Sequence, residues 1–159
     1  MRHVPKKIIL LFTSVAISLL AGVIGSAFTF RNIPTWYAGL TKPPFSPPNW
    51  LFGPVWTLLY ILMGISLFLI ITKQKKIFSK PVTVFLLHLA VNSFWSIVFF
   101  GLRSPGLAFP VIIILWYMIY YLIKTFREID RRASDLLVPY LAWVSFASLL
   151  NFSVWILNI

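Results

Sequence analysis

The sequence contains no cysteine and only three acidic residues among its 159 positions. Without cysteine, the chain has no disulfide, no thiolate metal site and no thiol nucleophile. The three carboxylates, Glu128, Asp130 and Asp135, lie close together in one short segment and leave little acid–base chemistry. There is also no glycine-rich phosphate loop and no nucleophile with an adjacent base, so hydrolysis, phosphoryl transfer and metal binding lack candidate residues.

Long stretches of the chain lack charge altogether. Hydrophobic residues make up 60% of the sequence and its mean hydropathy is +0.91, whereas about half of a soluble domain is apolar. A helix needs about 20 apolar residues to cross the hydrocarbon core of a bilayer. Five windows contain no Asp, Glu, Lys or Arg: residues 8–30, 54–72, 82–100, 106–123 and 136–158. We therefore predict an all-α membrane protein, with residues 1–159 forming one bundle of five transmembrane helices.

Basic residues are distributed unequally between the two ends of these spans. The amino-terminal segment, which includes Arg2, and the second and fourth loops hold 11 of the 14 Lys and Arg residues. The other side holds only Arg31, Lys42 and Arg103. Because cytoplasmic segments are enriched in Lys and Arg, this predicts a cytoplasmic amino terminus and an external carboxyl terminus in the cell membrane. The net charge of +11 then reflects topology and contact with anionic lipids, and no nucleic-acid binding is expected.

The first loop, residues 31–53, is the longest connection and is predicted to be external. The segment 42–54 contains five prolines, which exclude a helix and favour a stiff, polyproline-like conformation. Aromatic residues, among them Trp36 and Trp50, alternate with the prolines. We expect this loop to cover the outer end of the bundle as a lid. The alternative is an interfacial loop whose aromatic side chains lie at the level of the lipid headgroups.

Polar side chains occur at similar depth on three different helices. At about 1.5 Å per residue, Tyr60 lies roughly 9 Å, Asn92 roughly 12 Å and Asn151 roughly 10 Å from the external ends. Each has an aromatic neighbour on its own helix face, such as Trp56 for Tyr60 and Trp95 for Asn92. This pattern predicts an outward-opening, ring-lined pocket for a flat conjugated ligand. The alternative is that the asparagines simply hydrogen-bond neighbouring helices together.

The first span carries small residues at helical spacing. Ser14, Ser18, Gly22 and Ser26 recur every four residues, which lets helix backbones approach closely. We interpret this stripe as a packing surface, and it leaves a homodimer open.

His88 lies one turn from Asn92 and is interpreted as a packing residue, with haem ligation as the weaker alternative because no second metal ligand lies in a span.

Several separated motifs resemble those of the translocator protein family, also called tryptophan-rich sensory proteins or peripheral benzodiazepine receptors. They are TWYAGLTKPPFSPP at 35–48, GPVW at 53–56, Asn92 with Trp95, and PYLAW at 139–143. The likeness extends over nearly the whole chain. It implies a five-helix bundle, often dimeric, with a ligand cavity at one end under the first loop.

The resemblance also implies a function. Members of this family bind tetrapyrroles such as protoporphyrin IX, and some promote their light-dependent breakdown with two cavity tryptophans, which correspond to Trp56 and Trp143. We therefore expect a porphyrin-binding membrane protein with no obligatory cofactor, which degrades porphyrin in light and oxygen or senses stress. The alternative is a transporter of porphyrin or sterol-like ligands, although the basic residue of the animal sterol motif is missing after Arg132. Whether the protein is an enzyme is left open. The residues expected to bind ligand are Trp36, Pro47, Trp56, Tyr60, Asn92, Trp95, Ala147, Leu150 and Asn151.

Overall fold

The computed structural model describes residues 6–159, and Arg2 of the topology prediction lies outside this range. Within the described part, five helices are long and apolar enough to cross a membrane, which confirms the prediction of an all-α, five-helix membrane protein. A π-helical turn, Ile97–Gly101, continues the third helix, and 3₁₀ turns occur in the first loop at Tyr37–Gly39 and Asn49–Leu51. The helices are α1 (Lys6–Asn32), α2 (Phe52–Gln74), α3 (Lys80–Ser96), α4 (Pro105–Ile129), the short α5 (Arg131–Asp135) and α6 (Val138–Leu157).

The fourth helix extends beyond its charge-free window, 106–123, to Ile129. Its last turns carry basic side chains, so an uncharged window measures the apolar part of a helix and not its full length.

The short helix α5 was not predicted. Asp130 caps it by accepting a hydrogen bond of 2.9 Å from the backbone N–H of Arg132. The side-chain hydrogen bonds from Arg132 also hold the pKa of Asp130 below its usual range, so this stabilisation is lost as the pH falls through the lowered pKa.

Small residues form the buried face of α1. Ser14, Ser18, Ala21 and Gly25 are buried, and α1 packs against both α2 and α3. The hydroxyl of Ser93 on α3 donates a hydrogen bond of 2.9 Å to the carbonyl of Ala21. Small side chains permit this close approach of helix backbones. The buried part of the stripe therefore packs against helices of the same chain.

The close contact between α1 and α2 requires glycine at position 64. A Cβ atom added to Gly64 would lie 2.4 Å from the Cα of Val15, a backbone atom that moves only if α1 moves. We expect Gly64→Ala to lower the free energy of unfolding by about 1–3 kcal/mol through overpacking, measurable as a lower melting temperature in detergent. Gly53→Ala is the control on the same helix, because a Cβ there meets nothing within 4 Å. Equal melting temperatures for the two variants would contradict this account.

The two ends of the bundle differ in how they are filled. Far from the first loop, large side chains close the interior, and Ile70, Phe85, Leu122 and Phe126 are all completely buried. The basic residues of the second and fourth loops lie at this same end, where α2 and α4 finish. Exposed Leu, Ile and Phe side chains cover the outside of the helices, as expected for contact with lipid. Open space is found at the other end, beside the first loop.

Candidate functional site

A cavity of about 610 Å³ opens at the end of the bundle that carries the first loop. Small-molecule sites usually enclose about 300–1,000 Å³, so this volume suits a ligand of substantial size. The walls are formed by α1, by α2 and by the end of α3, and the 3₁₀ turn Asn49–Leu51 borders the mouth. The lining residues are Leu19, Gly22, Val23, Gly25, Ser26, Thr29, Phe30, Ile33, Pro34, Asn49, Trp50, Phe52, Gly53, Trp56, Thr57, Tyr60, Trp95, Ser96 and Phe100.

Three of the aromatic residues predicted to bind ligand meet in this wall. The rings of Trp56 and Tyr60 are stacked, with centroids 5.7 Å apart and an interplanar angle of 28°. They lie four residues apart on α2 and therefore share one face of that helix. Trp95 reaches the same wall from α3, with its ring centroid 6.5 Å from that of Trp56. Together the three rings form a broad apolar surface suited to a planar conjugated molecule.

The two asparagines predicted to bind ligand are hydrogen-bonded to neighbouring helices. The Tyr60 hydroxyl donates to Oδ1 of Asn92, and Nδ2 of Asn92 donates to the hydroxyl of Tyr140 at 2.8 Å. Nε1 of Trp95 donates to Oδ1 of Asn151 at 3.0 Å, and the Asn151 amide donates to a backbone carbonyl at the start of α4 at 2.7 Å. Neither asparagine is in the cavity lining. Their hydrogen bonds to Tyr60 and Trp95 fix the positions of these two rings in the cavity wall.

Trp143 does not line the cavity, and the ring of Phe52 lies between them. Its indole contacts Phe52 edge-on, with centroids 6.1 Å apart, and Phe52 itself lines the cavity. The Nε1–H of Trp143 is buried and has no hydrogen-bond partner among the described residues. The other predicted residues are also outside the lining: Ala147 and Leu150 are buried on α6, Trp36 packs edge-on against the π-helical turn, and Pro47 lies in the first loop.

The cavity is not at the position where the sequence predicted the ligand pocket. That pocket was expected among the second, third and fifth spans, where the structure instead has hydrogen bonds that join the side chains of α2, α3 and α6. Sequence reasoning missed the wall formed by α1, because its small residues were interpreted as a packing stripe only. At Gly22, Gly25 and Ser26 the same small side chains leave volume beside the packed helices. Gly22 faces the ring of Tyr60 directly, since an added Cβ would lie 2.5 Å from that ring.

Three apolar residues of the cavity lining are largely exposed. They are Val23, Phe30 and Trp50, which are 62%, 82% and 71% exposed. In a bilayer, these apolar side chains face the region that lipid occupies. The cavity is therefore open to the surroundings of the bundle.

The first loop is attached to the end of α6. The side chain of Asn158 forms two hydrogen bonds of 2.9 Å with the backbone of Thr41, one in each direction. Nearby, Lys42 Nζ donates to two backbone carbonyls of the loop and lies 5.1 Å from the ring centroid of the buried Tyr37. These contacts keep the proline-rich segment folded across the end of the bundle.

His88 lies apart from the cavity. Its side chain is completely buried, and Nδ1 is hydrogen-bonded to the carbonyl of Phe85. Within residues 6–159, no group of three or more His, Cys, Asp or Glu side chains is arranged to hold a metal ion. His88 therefore lies in the buried interior of the bundle and does not line the cavity.

Comparison with known proteins connects this arrangement to one family. Residues 14–156 match the TspO/MBR family. The tryptophan-rich protein TspO of Archaeoglobus fulgidus is 45% identical over 151 residues, which cover 95% of this chain and 98% of that protein. The corresponding protein of Chlorobaculum tepidum is 41% identical over 155 residues, covering 96% and 98%. The translocator protein of Ovis aries is 37% identical over 138 residues, covering 84% and 81%. With five apolar helices and a match over nearly its whole length, the chain belongs to the TspO/MBR family and is an integral membrane protein.

Proposed function

We propose that this protein binds a tetrapyrrole of the protoporphyrin IX type in the cavity beside the first loop. The observation that carries the proposal is the wall formed by Trp56, Tyr60 and Trp95, in which the ring centroid of Trp56 lies 5.7 Å from that of Tyr60 and 6.5 Å from that of Trp95. Such a surface gives a macrocycle extensive stacking contact at little cost in side-chain entropy. The proposal includes the predicted orientation in the cell membrane, with the first loop external.

A titration in lipid nanodiscs tests the proposal. Protoporphyrin IX is added to the full chain while tryptophan fluorescence is followed, since a pigment stacked on Trp56 quenches that indole. We expect saturable quenching together with a shift of the pigment's absorption band. Quenching that rises linearly without saturation, as it does with empty nanodiscs containing free tryptophan, would reject the proposal.

After binding, the groups that react are the pigment and the tryptophan side chains. Excited by light, the macrocycle takes one electron from an indole in contact with it, and molecular oxygen then attacks the macrocycle. Trp56 is the contact residue in this reaction, and Trp143 is the second tryptophan that the family resemblance implies. The same reaction allows the protein to act as a sensor of light and oxygen. Such a sensor role is tested by ligand-dependent co-purification of a partner.

Transport is the second candidate function, and the filling of the bundle disfavours it. A carrier needs access to its site from both sides of the membrane. At the end opposite the cavity, the large apolar side chains of Ile70, Phe85, Leu122 and Phe126 are completely buried in the interior. Counterflow of labelled porphyrin in liposomes distinguishes the two functions, because binding alone gives no exchange across the bilayer.

The carboxylates of the pigment are expected to meet Arg31 at the cavity mouth. Arg31 follows Phe30, a lining residue, whereas Lys42 and Arg103 already donate hydrogen bonds within the protein. We expect Arg31→Gln to weaken protoporphyrin binding by no more than about fivefold, since exposed ion pairs contribute about 0.2–1 kcal/mol. The dimethyl ester of the pigment should bind wild type and variant equally. Arg103→Gln is the control, and an ester that binds wild type as tightly as the free acid would eliminate this ion pair.

A further inference from the structure

A histidine and a tyrosine with complementary free groups lie next to each other behind the cavity wall. His88 Nδ1 is bonded to the Phe85 carbonyl, and because a carbonyl only accepts, Nδ1 carries the ring proton. Nε2 is therefore a bare lone pair, and it has no hydrogen-bond partner among the described residues. A buried base without a partner is unusual in a folded protein and calls for a physical role.

Tyr140 is the aromatic neighbour of this base. It is completely buried, and its ring centroid lies 5.8 Å from that of His88. Its hydroxyl accepts a hydrogen bond from Asn92, and within residues 6–159 no acceptor is found for the phenolic proton. The free donor and the free acceptor are not bonded to each other in the structure. Transfer of the phenolic proton to Nε2 would need a direct hydrogen bond or one bridging water between them.

The same tyrosine contacts the cavity wall on its other side. Tyr140 meets Trp56 edge-on, with centroids 6.1 Å apart. Trp56 lines the cavity and Tyr140 does not. Trp56, Tyr140 and His88 therefore form a continuous path from the cavity to a base in the middle of the bundle.

We propose that Tyr140 and His88 form a redox relay that returns an electron to Trp56 after it has been photo-oxidised. This inference rests on the proposed function, in which an excited tetrapyrrole is the oxidant. The pigment accepts one electron from Trp56 and becomes a radical anion, leaving an indole radical cation. Tyr140 gives one electron to that radical cation, and its phenolic proton moves to Nε2 of His88. The products are neutral Trp56, a neutral tyrosyl radical at Tyr140 and an imidazolium at His88.

The chain contains an internal comparison for this assignment. Tyr60 also touches Trp56, but its hydroxyl donates to the amide oxygen of Asn92. An amide oxygen is a far weaker base than an imidazole nitrogen, so oxidation of Tyr60 has no good acceptor for its proton. Of the two tyrosines that contact Trp56, only Tyr140 has a base as its neighbour.

Electron paramagnetic resonance of the illuminated protein tests the relay. The full chain in nanodiscs is loaded with protoporphyrin IX and illuminated without oxygen, in the presence of a soluble one-electron acceptor that re-oxidises the reduced pigment. We expect a radical signal whose splitting collapses with ring-deuterated tyrosine and which is lost in Tyr140→Phe. In His88→Phe the tyrosyl signal should decrease while a tryptophan radical persists. Tyr37→Phe, which removes another buried tyrosine away from Trp56, should leave the signal unchanged.

Two further measurements keep the test decisive. If His88→Phe does not fold, wild-type protein equilibrated in deuterated water should form the tyrosyl radical more slowly, because a proton moves in the same step. If protoporphyrin does not bind, the proposed function fails, and an ultraviolet pulse that ionises tryptophan in the pigment-free protein tests the relay separately. A tyrosyl signal that survives Tyr140→Phe, or a tryptophan radical with no tyrosyl successor, would overturn the relay.

Discussion

Replacing Trp56 with alanine is expected to weaken protoporphyrin binding about 30-fold, the equivalent of about 2 kcal/mol for a central aromatic anchor. Trp56 occupies the middle of the cavity wall, where it contacts both Tyr60 and Trp95. Removing it therefore eliminates one stacking surface and loosens its two neighbours. The dissociation constant is measured from the shift in pigment absorption, because the mutation itself alters the tryptophan fluorescence.

The matched control for this experiment is Trp116→Ala. Trp116 lies on α4 and donates a hydrogen bond to Ser145 on α6, and it is not in the cavity lining. The two variants lose the same side chain, so a general effect of tryptophan removal on folding would appear in both. We expect the affinity of Trp116→Ala to remain close to that of wild type. A similar loss of affinity in both variants would contradict a site at Trp56.

Much of the architecture was predictable because it depends on local chemistry. Charge is excluded from hydrocarbon, so uncharged windows locate the membrane helices without any knowledge of their packing. The spacing of Trp56 and Tyr60 likewise places both rings on one face of α2, since residues four apart in a helix lie one above the other. In each case a single segment carries all the information that is needed.

The neighbours across helices were not predictable in the same way. Counting residues gives the depth of Asn92 and Asn151 in the membrane, but not the direction in which each side chain points around its helix axis relative to the others. Asn92 is hydrogen-bonded to Tyr60, with which the depth estimate grouped it. The bonds of Asn92 to Tyr140 and of Asn151 to Trp95, however, depend on where α6 lies relative to α3. The sequence did leave open that these amides bond helices together.

The dual role of α1 illustrates the same limit. Small residues at helical spacing indicate close packing, and Ala21 and Gly25 do lie on a buried face. Whether such a stripe is filled completely depends on the side chains opposite it. Here part of the stripe, from Gly22 to Ser26, faces open volume and becomes a cavity wall. No feature of the α1 sequence by itself distinguishes the two outcomes.

Light-dependent bleaching of bound protoporphyrin should depend on Trp56 more than on Trp143. We expect wild-type protein in air to bleach the pigment faster than nanodiscs without protein do. Trp56→Phe should abolish this protein-dependent part, because phenylalanine retains a stacking surface but is much harder to oxidise than indole. Trp143→Phe should retain most of it, since Phe52 separates Trp143 from the cavity. Pigment absorbance is followed under illumination, at concentrations that saturate each variant.

This comparison separates chemistry from binding, because both substitutions keep an aromatic ring and every variant is measured fully loaded. The oxygen dependence of the bleaching is an independent check. Removing air should stop the bleaching by wild-type protein without releasing the pigment. Equal bleaching rates in Trp56→Phe and wild type would leave binding as the only activity of the cavity. If Trp143→Phe loses as much as Trp56→Phe, then Phe52 must move when the ligand enters, so that Trp143 joins the site. The buried N–H of Trp143, which has no partner within residues 6–159, would then be available to the ligand.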